Sequence, residues 1–220
     1  MGIALFIAGC DNPVTDAKIE ALGGESPDTP IGPHHRPGQP CVLCHSKYFG
    51  AEPQLVIGGT VFRDRQTLQP VANAKVVLYD SVGDVYELIS NCNGNFMREK
   101  SERDPQFPLY AEIYCPVYGA DGTVLTDEAG NTQTKVKAMG SWISRDGSCA
   151  GCHTLAGREA DSVGWIVCNE LEDTNPIPDQ AADCPGKPPK TKSGGGGDGD
   201  GMGSGMGSGM GSGMGQGGGG

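Results

Sequence analysis

The feature that most constrains this 220-residue chain is a short motif, Cys-x-x-Cys-His, that occurs twice, at residues 41–45 and 149–153. The motif is the attachment signature of c-type haem: its two thiols add to the two vinyl groups of the porphyrin, and the histidine that follows reaches the iron. We therefore predict two covalent haem c groups per chain. They are attached through Cys41, Cys44, Cys149 and Cys152, and the proximal iron ligands are His45 and His153.

Two other interpretations use the same cysteines. Four thiolates from two Cys-x-x-Cys pairs can hold a structural zinc ion, and a single pair can act as a thioredoxin-like redox centre. A zinc site does not need a histidine directly after both pairs, and a thioredoxin-like motif is not expected twice. The repeated histidine therefore favours haem.

The chain has four histidines, and the two outside the motifs are neighbours, His34 and His35, in the proline-rich stretch "PHHRPGQPCVLCH". Each iron has a sixth position to fill, and neighbouring residues of an extended segment point in opposite directions. We predict that His34 and His35 are distal ligands of different irons, both of which are then bis-histidine ligated. In the alternative, one of the pair is an exposed loop residue and a methionine such as Met139 ligates the second iron.

Cys10 ends a short apolar run, "MGIALFIAGC", and polar sequence follows at once. The run resembles the lipobox of bacterial lipoproteins, in which the cysteine carries lipid after cleavage of the signal. We predict that residues 1–10 are a signal remnant and that Cys10 anchors an exported protein at the cell envelope, at the outer membrane or the cell surface. The alternative is a buried hydrophobic start with an incidental cysteine.

Composition limits the partners. No apolar run reaches the ~18 residues of a membrane span, so lipid is the expected membrane contact. The formal net charge is −11, and an acidic surface repels phosphate, so we expect no nucleic-acid partner.

Residues 187–220 are glycine with methionine, serine and a few charges. They have too few apolar side chains to bury, and we predict a disordered tail.

Four cysteines remain once the motifs and Cys10 are set aside, and an even number in an exported protein predicts disulfides. They are Cys92, Cys115, Cys168 and Cys184.

The sequence between the motifs alternates short β-branched or aromatic runs with turns. We predict strands at residues 55–64, 72–81, 85–90, 94–99 and 108–115, with a helical pattern only near 14–24. The fold class is therefore all-β, a small antiparallel sandwich with haem-binding loops at both ends. The expected divisions are a linker at 11–32, a first haem segment at 33–54, the sandwich at 55–140, and a second haem and C-terminal segment at 141–186.

Residues 55–119 also resemble the carboxypeptidase-regulatory-like family, a transthyretin-type sandwich, through "GGTVFRDRQTLQPVANAKVVLYD", "SNCNGNF" and "FPLYAEIYCPVYG". Asn91 and Cys92 stand where that family usually has Thr-Asp. The resemblance implies that the strand starting near Asn95 pairs with the strand ending near Tyr114. It thereby implies a Cys92–Cys115 bridge, which leaves Cys168 and Cys184 to clamp the C-terminal segment.

The order of features over residues 10–153 resembles exported dihaem cytochromes of metal-respiring bacteria. That resemblance implies an electron carrier rather than an enzyme, with no catalytic residues, whose partners are other redox proteins or extracellular electron acceptors. The alternatives are a dihaem peroxidase, which needs one open iron position, and a structural surface protein.

About a hundred residues separate the motifs, and an odd number of strands would put the two haems at opposite poles. A histidine reaching a neighbour's haem would then join protomers head to tail into a filament. The alternative is a compact monomeric periplasmic carrier with both haems beside the histidine pair.

Overall fold

The computed structural model describes residues 12–24, 31–101, 103–154, 162–170, 175–178 and 184. Cys10 and the glycine-rich tail lie outside the described residues, and so do the predictions that concern them.

Within the described ranges, six strands form the body of the protein and confirm the all-β prediction. They are β1 (Leu55–Thr60), β2 (Lys75–Tyr79), β3 (Val85–Ile89), β4 (Asn95–Glu99), β5 (Tyr110–Pro116) and β6 (Thr134–Ala138). The first four lie within the predicted segments, and β5 extends one residue beyond its predicted segment. The sixth was not predicted, because four of its five residues are exposed and its lysines interrupt the apolar pattern of a strand.

The strands form two antiparallel sheets. One has the order β1-β4 and the other β3-β2-β5-β6. The expected pairing of the strand at Asn95 with the strand at Tyr114 is wrong. Asn95 is paired with Thr60 of β1, whereas Tyr114 lies between Lys75 of β2 and Val136 of β6.

One hydrophobic core joins the two sheets. Ile57 and Phe96 from the two-stranded sheet pack with Val76 and Leu78 from the four-stranded sheet, and each is 2% exposed or less. Removing this apolar surface from water is the main stabilising contribution to such a fold.

Two short helices precede the sheets. Helix α1, Pro13–Ala21, falls inside the predicted linker, on the segment with the helical pattern; the Asn12 side chain accepts hydrogen bonds from the backbone of Val14 and Thr15. Helix α2, Cys41–Cys44, is a single turn. In the part of the chain that the structure describes, no helix is both long and apolar enough to cross a membrane.

The four predicted disulfide cysteines form two disulfides, but in a different pairing from the one expected. Cys92 is bonded to Cys184 and Cys115 to Cys168. The expected pairing fails because β4 and β5 are in different sheets. Residues 162–170 instead run beside Phe62, whose carbonyl accepts from the backbone N–H of Cys168, and this brings Cys168 to β5.

Candidate cofactor site

The first motif folds into the turn that its spacing requires. Residues 41–44 form α2, and the backbone N–H of His45 donates to the Cys41 carbonyl at 3.0 Å. The ring Nδ1 of His45 lies 2.7 Å from the Pro53 carbonyl. A carbonyl only accepts, so Nδ1 carries the hydrogen and Nε2 keeps the lone pair that can bind a metal.

The second motif repeats this arrangement. Cys149–Gly151 form a 3-10 turn, the His153 N–H donates to the Cys149 carbonyl at 2.9 Å, and Nδ1 donates to the Gly164 carbonyl, also at 2.9 Å. Burial lowers the pKa of His153, against the opposing effect of the hydrogen bond to Gly164. The ring is therefore held in the neutral form that ligates metals.

Both motifs pack against β1, at two neighbouring glycines. A Cβ placed on Gly58 would lie 2.7 Å from the Cβ of Cys41, and one placed on Gly59 would lie 2.8 Å from the Cβ of Cys149. Neighbouring residues of a strand face opposite sides, so the motifs flank β1. These contacts place the two cysteine Cβ atoms within about 13 Å of each other.

Backbone hydrogen bonds tie the motifs to the same strand. Leu55 N–H donates to the His45 carbonyl at 2.8 Å, and Gly58 N–H donates to the Gly147 carbonyl at 2.9 Å. The expectation of motifs at opposite ends of the sandwich, based on an odd number of strands, is therefore wrong. The described strands number six, and both motifs pack against the same strand, β1.

His35 lies close to the histidine of the first motif, His45. The ring centres of His35 and His45 are 5.7 Å apart, with 36° between the ring planes. With metal–nitrogen bonds of about 2 Å, two imidazoles on opposite sides of one metal have ring centres roughly 6 Å apart. Nδ1 of His35 donates to the Gly32 carbonyl, which leaves its Nε2 free to bind a metal.

His34 lies in a different environment. Its Nδ1 is 3.4 Å from Sγ of Cys184 and 3.6 Å from Sγ of Cys92, beside the disulfide that joins them. These three residues form the one described group of His, Cys, Asp or Glu side chains close enough to hold a metal ion. Since the two sulfurs are bonded to each other, neither is a thiolate ligand.

Three asparagines in and beside the β3–β4 turn hold the histidine segment, and the sequence analysis missed them. Amide groups of Asn91, Asn93 and Asn95 donate to the carbonyls of Pro33, His34 and His35 at 2.7, 2.6 and 2.9 Å. The sequence feature that could have indicated this role of the asparagines is the "NCNGN" turn, which departs from the Thr-Asp of the family that it resembles. Side-chain amides can bond to a distant loop in this way, whereas the sequence pattern indicated only a turn.

The second motif lines a partly open cavity, and no residue of the first motif is in its lining. The cavity has a volume of about 440 Å³ and lies among residues of β2, β4, β5 and the segment 162–170. Its lining includes Cys149, Cys152, His153, Met139, Phe96, Val76, Leu78, Ile113 and Trp165. Most of these side chains are apolar, as in sites for large cofactors.

Two buried polar atoms in this lining, Nε1 of Trp165 and Oγ of Ser148, have no hydrogen-bond partner. Buried donors without partners are rare in folded proteins and are expected where a bound group completes the site. The cavity at the second motif therefore fits a large apolar group that carries some hydrogen-bond acceptors.

The cysteines of the two motifs differ in exposure: Cys152 is exposed, whereas Cys41, Cys44 and Cys149 are partly buried. All four are free. Burial raises the pKa of the Cys41 thiol to about 11 and that of Cys149 to about 12. Thioredoxin-like and zinc sites use thiolates, which a lowered pKa favours. Among the described residues, the four sulfurs do not gather around one point. The four motif cysteines therefore do not form a single four-thiolate zinc site in the described part of the chain.

No protein family model matches the chain, and searches of curated proteins and of solved structures found no match.

Proposed function

We propose that the protein is a dihaem c-type cytochrome that carries electrons. One observation supports this above the others: the histidine that follows each Cys-x-x-Cys pair donates its Nδ1–H to a backbone carbonyl, Pro53 for His45 and Gly164 for His153. Such a bond fixes the tautomer and orients Nε2 toward a metal. The two carbonyls belong to unrelated loops. The recurrence of the bond therefore fits a requirement, common to both motifs, for a histidine ring with a fixed tautomer.

The donor set fits haem c. Cys41 and Cys44 would hold one group, and Cys149 and Cys152 the other, each through two thioethers. His45 and His35 would ligate the first iron, and His153 would ligate the second. Bound haem supplies a reversible one-electron iron couple. The chain itself would hold the groups, order their ligands and, at the second motif, surround the group with mostly apolar side chains.

The position of the motifs favours a single protomer as the functional unit. Cys41 and Cys149 flank the same two glycines of β1, so electrons can pass between the two groups without a neighbouring chain. The filament prediction relied on haems at opposite poles, and that basis no longer holds. We therefore infer a discrete carrier whose partners are other redox proteins or extracellular electron acceptors.

Electron transfer accounts for the first site better than peroxidase chemistry. A peroxidase needs an iron with one open position. His35 and His45, whose ring centres are 5.7 Å apart, would both ligate the first iron and leave no such position. The proposal therefore assigns no catalytic residues.

Location follows from Cys10, which lies outside the described residues. We propose that it is lipidated and anchors the carrier at the outside of the cell envelope. Cys10→Ser is then expected to release the protein from membranes in soluble form. Unchanged membrane association of this variant would contradict the anchor and leave the haem proposal untouched.

Intact mass of the mature protein tests the central proposal. It should exceed the processed polypeptide by two haems. Cys41→Ser/Cys44→Ser and Cys149→Ser/Cys152→Ser should each remove one haem and leave the other covalently bound. A wild-type mass without haem, or with zinc in its place, would refute the proposed function.

A further inference from the structure

We propose that the sulfur of Met139 is the sixth ligand of the second iron, so that the two haems of one chain differ in axial ligation. This inference rests on the proposed function and concerns only the second motif. It replaces His34, which the sequence analysis assigned to one of the two irons.

The first support is the position of Met139. It directly follows β6, and its backbone N–H donates to the Ala111 carbonyl of β5 at 2.9 Å. This bond fixes the residue at the edge of the four-stranded sheet. Its side chain lines the same cavity as Cys149, Cys152 and His153, whereas the motif itself packs on β1 of the other sheet.

Lys137 also places the end of β6 beside the second motif. Lys137, Ala138 and Met139 all line the same cavity. Nζ of Lys137 is 2.9 Å from Oε1 of Glu170, which also lines the cavity. The end of β6 that carries Lys137 and continues to Met139 is therefore tied to the segment 162–170, which also lines the cavity.

The other donors near this cavity are engaged or unsuitable. Among the described residues that line it, His153 is the one imidazole and Met139 the one thioether. The Lys137 amine is paired with Glu170. His34 lies against the Cys92–Cys184 disulfide and is not part of the cavity lining.

The consequence is a difference in reduction potential. A thioether is a soft ligand, and methionine–histidine ligation raises the potential of haem iron. The first haem, with His35 and His45, would have the lower potential. The second, with His153 and Met139, would have the higher potential and would hold the electron at equilibrium. Transfer within the protein therefore runs from the first haem to the second.

Met139→Leu tests the ligand in the haem-loaded protein. The wild type, once oxidised, should show the weak red absorption band of methionine-ligated ferric haem. The variant should lose that band, and one of its two haems should bind carbon monoxide rapidly when reduced. Met97→Leu is the matched control: Met97 is half-buried on β4 and does not line the cavity. It should keep the band and remain unreactive toward carbon monoxide.

Met139→His sharpens the test because it replaces the thioether with an imidazole. The second haem should stay low-spin, and its potential should fall toward that of the first. A redox titration would show two separated steps in the wild type and closer steps in this variant.

The outcomes separate this inference from the proposed function. Protein without covalent haem refutes the proposed function. Protein with two haems but without the methionine band overturns the ligand assignment alone. Loss of low-spin character at the second haem in His34→Ala, with no change in Met139→Leu, would also overturn it and restore His34 as the ligand.

Discussion

The two Cys-x-x-Cys-His regions share a local structure and differ in their surroundings. In each, a helical turn ends in a histidine whose Nδ1–H donates to a carbonyl. The first region is a proline-rich loop held by side-chain amides such as that of Asn95. The second borders an apolar cavity that Phe96 and Leu78 of the core also line. The same five-residue motif can therefore be completed by different ligands, because its fold supplies only the proximal side.

The disulfides strengthen this contrast. Cys92–Cys184 lies beside His34 in the first region. Cys115–Cys168 joins β5 to the segment that carries Gly164 of the second region. Each region thus has its own covalent restraint, and variants of the two can be compared directly.

The largest expected effect is that of removing the buried disulfide. Cys115→Ala/Cys168→Ala should lower the free energy of unfolding by about 4 kcal/mol, because the bridge closes a long loop in the unfolded chain. The second haem should become reactive toward carbon monoxide while the first does not. Denaturant unfolding and carbon monoxide binding measure the two effects.

The matched variant is Cys92→Ala/Cys184→Ala, whose loop is also long. It should cost a similar amount of stability but leave the second haem unchanged. If both double variants affect the same haem, the assignment of one disulfide to each region is wrong.

The next largest effects are expected from substitutions at the two glycines of β1, Gly58 and Gly59. Gly59→Ala brings a Cβ to 2.7 Å from Cζ of Phe96 and 2.8 Å from the Cβ of Cys149. We expect a loss of about 1–3 kcal/mol in unfolding free energy, as for other overpacked sites, and a changed spectrum of the second haem. Gly58→Ala should instead affect the haem at Cys41.

The control for both is Gly140→Ala, since a Cβ at Gly140 meets nothing within 4 Å. It should leave stability and spectra unchanged. Should Gly58→Ala and Gly59→Ala disturb the same haem, the motifs do not flank β1 as described.

A smaller effect is expected at Asp64, in the turn after Phe62 that adjoins the second region. Burial alone would raise its pKa, but hydrogen bonds from Thr67, Arg63 and Gln66 outweigh this and lower the pKa from 3.8 to about 2. The ionised carboxylate thus stabilises the fold above pH ~4, and the contribution is lost as pH falls toward 2.

Asp64→Asn should cost about 1 kcal/mol of unfolding free energy at neutral pH, a value reduced for partial solvent exposure. The difference in unfolding free energy between wild type and variant should disappear as the pH falls from ~4 to ~2. Denaturant unfolding at several pH values measures it. A gap that persists unchanged at pH ~2 would contradict this account of the carboxylate.

The smallest expected effect is that of His34→Ala. Since Met139 and His35 are the assigned distal ligands, both haems should remain low-spin. His35→Ala is the contrasting variant and should make the first haem reactive toward carbon monoxide. A spectral change in His34→Ala as large as that in His35→Ala would return both histidines to the iron sites.

Local patterns predicted much of this structure. Five of the strands follow from runs of β-branched and aromatic residues, because alternation of side chains along a strand is a property of neighbouring residues. The turn of each motif follows from its own spacing, and the adjacency of His35 to the first motif in sequence already suggested their proximity. β6 escaped prediction because its residues are mostly exposed, and an exposed edge strand needs little apolar pattern.

The sequence by itself therefore determined the all-β class, the two motifs and the set of cysteines left for disulfides. Only the tertiary structure decided which cysteines pair, that both motifs flank Gly58 and Gly59, and that Met139 rather than His34 lines the second site. The reason is physical: disulfide pairing and ligand access depend on which strands are neighbours. Strand order is set by the packing of one shared core, to which residues far apart in sequence contribute together.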